Sequence, residues 1–323
     1  MLEKAKARAA EEESRRDARA NALREKGRKL TAEEQFEKID CVIGQIAAEQ
    51  RGKGYPVGPN GRIDTADFQN TPFYGKEVVG DDLSRIKRIK ESFTSDQIGG
   101  KLMEKITVAV FRKFLPEADF VRTSNFDDFV KAGQDAILIW KGNPIAAFDM
   151  TMEDNLIGKS EQEKMGKVNE INKKGGAIVK YCFRKDKDTN SVVLYPETNL
   201  PVFAIKLNPD AMNAAVDQFN LSNEANDAEK RAFYQIVNSL YKQLLVLESQ
   251  QQGGLINFNL NIGGRENFTA RVAALRRCLE KNMPPETVKD YLTGQLQKAK
   301  TGSVLPGRPR RGRKRKPLNY LNN

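Results

Sequence analysis

Between residues 95 and 151 the chain reads as a helix followed by an antiparallel hairpin, and this stretch restricts the fold more than any other. Leu102, Ile106, Val110 and Phe114 recur at helical spacing, Thr94 and Gln97 fit a capping box, and Pro116 stops the helix predicted over 95–115. A short strand is expected at 119–122. Residues 135–140 and 144–151 then flank the turn Lys141-Gly142-Asn143. A helix near 160–173 and strands at 177–183, 192–195 and 202–207 complete the pattern. The order of helix, strands, helix and further strands implies an α/β (α+β) fold, a mixed central sheet flanked by helices.

The flanks read differently. Residues 2–26 are rich in Ala, Glu, Arg and Lys, as in a solvated helical extension. A short helix is expected over 34–49, from Phe36, Ile39, Ile43 and Ile46, and the Gly/Pro-rich residues 51–81 read as a long loop or linker. Downstream, Phe233, Ile236, Leu240, Leu244 and Leu247 form a stripe within a helix over 225–248. Residues 255–262 alternate strictly, as in a half-buried strand, and helices are expected near 266–281 and 285–299. The segments are thus 1–30, a charged helical extension; 31–94, a short helix and linker; 95–207, the α/β core; 208–300, a mainly helical part; and 301–323, a basic tail.

No histidine occurs in the 323 residues. That excludes Ser-His-Asp and Cys-His catalysis, imidazole acid–base chemistry and histidine metal ligands. Cys41, Cys182 and Cys278 are too few and too scattered for a disulfide framework or a Cys/His zinc site. Chemistry must therefore rest on carboxylates, Lys, Tyr, Ser/Thr or an oxygen-ligated metal. No run approaches the ~20 apolar residues that cross a bilayer, and the N-terminus lacks the apolar core of a secretory signal. The expected setting is cytoplasmic and nucleoid-associated, or nuclear in a eukaryotic cell.

Asp135 and Asp149 are the candidates for that chemistry. If the turn is a symmetric three-residue loop, Trp140 pairs with Pro144 and Asp135 lies directly across from Asp149, with Cβ atoms about 5 Å apart. Two facing carboxylates need a proton or a cation between them, and Mg²⁺ takes such ligands. Two other readings fit the same residues: Asp135 as a mere strand start with Asp149 in a solvated rim, and a two-residue loop that puts the acids on opposite faces.

The run from the helix through Phe126-Asp127-Asp128, Gly133-Gln134-Asp135-Ala-Ile-Leu-Ile and Ile145-Ala-Ala-Phe148-Asp149-Met150-Thr151 resembles the PD-(D/E)XK, or restriction-endonuclease-like, nuclease core. The resemblance covers roughly residues 95–207. It implies Asp135 as the first acid, Asp149 as the second and Glu104 as the helix glutamate. It also implies Mg²⁺ (or Mn²⁺) held by Asp135, Asp149 and the Met150 carbonyl for phosphodiester cleavage. Where the family carries lysine this chain carries Thr151, so Lys164 or Lys167 on the next helix is the candidate substitute; Glu161, Glu163 and Glu170 share that helix, which equally fits an exposed polar face.

The net charge of +11 sits at the ends. Residues 1–29 contribute +4, and the last eighteen residues carry Arg308, Arg310, Arg311, Arg313, Lys314, Arg315 and Lys316 with no acid, leaving the body neutral. The tail resembles an AT-hook, in which glycine admits the backbone to the A·T minor groove and arginines follow its negative potential. A generic polybasic tail or a nuclear-import signal fits the same residues. DNA is the expected partner, with RNA as the alternative, and no membrane. Three readings stay open: a Mg²⁺-dependent nuclease, a non-catalytic DNA-binding or architectural protein with a degenerate core, and an interaction scaffold.

Overall fold

The computed structural model describes residues 30–91, 98–152, 159–220, 222, 224–256 and 262–282. Helix α1 (Ala32–Gly52) starts at Thr31, whose hydroxyl accepts the Glu34 N–H while the Glu34 carboxylate accepts the Thr31 N–H at 2.8 Å. Its stripe of Ile39, Val42, Ile43 and Ile46 is buried. A 3₁₀ turn (Thr65–Asn70), helix α2 (Lys76–Glu91) and helix α3 (Ile98–Phe114) follow.

Four strands form the central sheet, β1 (Ala118–Arg122), β2 (Ala136–Trp140), β3 (Asn143–Met152) and β8 (Val202–Leu207), in the order β1-β2-β3-β8. The first two pairings are antiparallel and β3–β8 is parallel, so the sheet is mixed as expected. A π-helical segment (Phe126–Ala132) links β1 to β2, and helix α4 (Lys159–Lys173) follows β3. Two small antiparallel pairs lie between α4 and β8. β4 (Ala177–Val179) pairs with β7 (Glu197–Leu200), and β5 (Phe183–Lys185) with β6 (Val192–Leu194). The strand expected at 177–183 is thus broken in two, and β7 was not foreseen.

Helices α5 (Pro209–Gln218), α6 (Asp227–Gln252) and α7 (Ile262–Asn282) close the described chain. Asn208 caps α5 ahead of Pro209, and Asn226 forms a capping box with Glu229 on α6.

Both faces of the sheet are covered, which is why the Ala136–Trp140 strand is apolar throughout and not alternating. On one face Phe111 of α3 meets Phe120 at 4.5 Å between ring centroids, and Phe233 of α6 stacks on Phe114 at 4.4 Å. Against the other face lie Tyr55, Val57, Ile63 and Phe68, packed with Val121, Ile137, Ile139 and Ala147. Those first four residues come from the stretch expected to be a linker. The correction has a physical cause, since their apolar side chains are spaced without period and so gave no helix or strand signal.

The outer edge of β8 is capped by side-chain amides. Asn172 of α4 donates to the Val202 carbonyl at 2.7 Å and accepts the Val202 N–H at 2.8 Å. Gln243 of α6 bonds Ala204 in the same two-fold way, at 2.7 and 2.8 Å. Each amide takes the place a neighbouring strand would fill, a device that blocks edge-to-edge pairing.

The helix expected at 285–299, the extension over 2–26 and the Thr94/Gln97 cap lie outside the described residues. So does most of the alternating 255–262 run, whose last residue, Ile262, opens α7. Among the described residues no helix is long and apolar enough to cross a membrane.

Candidate active site

The hairpin turns over two residues, not three. Trp140 pairs with Asn143, and Lys141 and Gly142 both take positive φ (52° and 77°), as a type I′ turn requires. A shift between Leu138 and Ile139 then restores the offset, so that Ala136 pairs with Phe148. Asp135 lies just before the first paired residue of β2, and its N–H also turns to Phe148. The symmetric three-residue loop from which the direct opposition of Asp135 and Asp149 was expected does not form.

Asp135 is anchored on both sides. Its N–H donates to the Phe148 carbonyl at 2.7 Å, its carbonyl accepts the Thr123 N–H at 3.0 Å, and its carboxylate accepts the Met150 N–H at 2.6 Å. Carboxylate oxygens of Asp135, Glu104 on α3 and Asp128 on the π-helical segment all lie within 4.8 Å of one another. Asp149 is outside that group. Lys164 of α4 holds it, with Nζ 3.2 Å from Asp149 Oδ1 and 3.1 Å from the Met150 carbonyl. The converging acids are therefore Glu104, Asp128 and Asp135, whereas the set expected from sequence was Asp135, Asp149 and Met150.

Two arginines complete the arrangement, and sequence reasoning missed both. Arg62 and Arg122 converge on Glu104 Oε2 at 2.5 and 2.7 Å. Arg62 also lies 2.8 Å from Asp128 Oδ2, close enough for an ion pair but not aligned as a hydrogen bond. Backbone pairing brings the arginines together, since Arg62 bridges Arg122 and the Ile63 N–H donates to the Arg122 carbonyl at 3.0 Å. A cation closing the apolar strand Ala118–Arg122 was the only local hint. Arg62 had none.

Burial, followed by the charges of Asp128 and Glu104, holds the Asp135 carboxyl well above the ordinary carboxylate range. Burial also raises Asp128, against the lowering effect of Arg62. Four carboxylates thus face three cations, Arg62, Arg122 and Lys164. The oxygen-only donor set of Glu104, Asp128 and Asp135 suits a hard divalent cation.

Lys167 does not join the acids in the way Lys164 does. Its ammonium rests against the backbone of Gly133, where an added Cβ would lie 3.3 Å from Nζ. Thr151 stands on β3, paired with Lys206 of β8. Arg308, Arg310, Arg311, Arg313, Lys314, Arg315 and Lys316 lie outside the described residues. Compared with family models, with curated proteins and with solved structures, the chain matches none.

Proposed function

We propose that the chain is a Mg²⁺-dependent phosphodiester hydrolase with a PD-(D/E)XK-like, restriction-endonuclease-like core, acting on DNA. The observation that carries this reading is Lys164. It reaches from the helix after the hairpin to Asp149 and the Met150 carbonyl, beside Asp135. An acid, an acid and a lysine are thereby gathered at one end of β2 and β3, with Thr151 in the usual lysine position.

Glu104, Asp128 and Asp135 would hold Mg²⁺ (or Mn²⁺), which when bound polarises a phosphate and acidifies water. Asp135 must lose its proton to serve as a ligand. Lys164 would leave Asp149 to orient the attacking water and offset the charge developing on the phosphate. Arg62 and Arg122 fix Glu104 through Oε2. The basic tail over 306–316 would retain the protein on DNA, and RNA is the alternative partner.

One observation favours a second reading, a non-catalytic DNA-binding protein. The acids are already countered by three cations, as in a purely structural network. Supercoiled plasmid incubated with Mg²⁺ separates the two. Nicking by the wild type that is lost in Asp149→Ala and reduced about 100-fold or more in Lys164→Ala is expected, on the size of general acid–base effects. Equal nicking by all three proteins removes the assignment, and no nicking by any of them leaves the binding protein.

A further inference from the structure

A second charged region lies at the turn end of the hairpin, away from the acids. A groove of about 510 Å³ there is lined by Lys53, Lys141, Lys185 and Lys187, together with Glu117, Asp119 and Asp186. Two of the acids are already paired with lysine ammonium groups, and the third is held within its own turn. Glu117 pairs with Lys281 at 2.5 Å, and Asp119 takes Lys53 at 2.7 Å and the Tyr55 hydroxyl at 2.9 Å. Asp186 Oδ1 accepts the N–H groups of Asp188 and Thr189 and the Thr189 hydroxyl, all from its own turn. Among the described residues no carboxylate pairs with Lys141, Lys185 or Lys187.

The lysines are also placed at a cost. Lys141 sits at φ 52°, a left-handed conformation that costs roughly 1–2 kcal/mol for a residue with a Cβ. The other non-glycine residues at positive φ among the described ones are Asn190 and Asn199, a residue type that tolerates it. Asparagine at position 141 would relieve the turn, so the lysine is explained by its side chain. Its ammonium lies 4.8 Å from the Trp140 ring centroid. Beside it the Lys185 N–H donates to the Gly142 carbonyl at 2.8 Å, and a Cβ on Gly142 would fall 2.7 Å from Lys185 Cβ. Glycine is what lets the second lysine close on the turn.

We propose that this groove is a phosphate-backbone clamp for duplex DNA, gripped by Lys141, Lys185 and Lys187. It rests on the reading of the chain as a DNA-processing protein and names where, beyond the cutting centre, the substrate is held. Five residues of strand separate Trp140 from Asp135, roughly 17 Å at strand rise. That is about five base-pair rises of duplex, so one backbone can touch the clamp while the acids meet it further along.

The test is DNA binding by the full chain as a function of salt, followed by fluorescence anisotropy of a labelled duplex. The triple variant Lys141→Gln, Lys185→Gln, Lys187→Gln is compared with wild type. Loss of three phosphate contacts is expected to lower the slope of log K against log salt by about 2.7, at roughly 0.9 per phosphate. The residual slope belongs to the tail. Lys141 and Lys187 are exposed and Lys185 is half-buried, so unchanged thermal unfolding verifies the fold, and Lys141→Arg alone should keep the wild-type slope. An unchanged slope in the folded triple variant overturns the clamp, even if the wild type nicks plasmid. A lowered slope with no nicking by wild type overturns the hydrolase and leaves the clamp. Salt-independent or absent binding by the wild type overturns both.

Discussion

Asp135→Asn should stabilise the protein while abolishing any hydrolysis. In the folded chain Asp135 is buried beside Asp128 and Glu104, and its carboxyl is held well above the ordinary range. Between the unfolded pKa of about 3.9 and the raised folded value, the native state binds a proton that the unfolded chain has lost. Stability from this group is fully present below the unfolded pKa and declines as pH rises, at up to about 1.4 kcal/mol per pH unit. Asparagine keeps the shape and a carbonyl oxygen for the Met150 N–H, and it carries no proton to lose. Urea unfolding of wild type and variant at intervals from about pH 5 to about pH 8 measures the effect, with titrations away from this acidic cluster cancelling in the difference. The variant should gain on the wild type as pH rises, until the folded carboxyl has itself lost its proton. A flat difference, or a variant that loses ground with rising pH, would refute the argument that neighbouring acids and burial strain this carboxylate.

Other substitutions probe the frame around the site. Glu104→Gln leaves two buried guanidinium groups short of a carboxylate and should cost about 3–5 kcal/mol in urea unfolding, as breaking a buried ion pair does. A loss under about 1 kcal/mol would mean the arginines find other partners. Asn172→Leu with Gln243→Leu strips the β8 edge of four hydrogen bonds. It should destabilise by about 2–5 kcal/mol, from unsatisfied backbone groups, and promote concentration-dependent association on size exclusion. An equally stable monomer would show that the amides do not guard the edge.

The parts of the fold that could be read in advance were those with local signatures. The apolar run Ala136–Trp140 bounded by Asp135, the stripe on α3 and the stripe on α6 each announce a buried face by period or by composition. The direct opposition of Asp135 and Asp149 was derived from a three-residue loop that does not form. A turn of two residues shifts the count by one and a bulge shifts it back, and no residue near Leu138 or Ile139 signals the bulge. Arg62 could not be read at all. It meets Glu104 and Arg122 only through pairing across a long stretch of chain, from a segment whose glycines and prolines signalled a loop. Asp128 was visible within the family-like run, but its role depends on a π-helical turn that carries no sequence period.

The bridge between Arg62 and Arg122 has a consequence for how the molecule can be divided. A fragment beginning after residue 94 would contain Glu104, Asp128, Asp135, Asp149 and Lys164, yet it would lack the guanidinium that binds both Glu104 and Asp128. It would also lose Tyr55, Val57, Ile63 and Phe68 from one face of the sheet. The smallest autonomous unit must therefore begin upstream of Tyr55. During synthesis the early segment has to wait for β1 to emerge before it finds its place, and the acidic centre cannot close until Lys164 has followed.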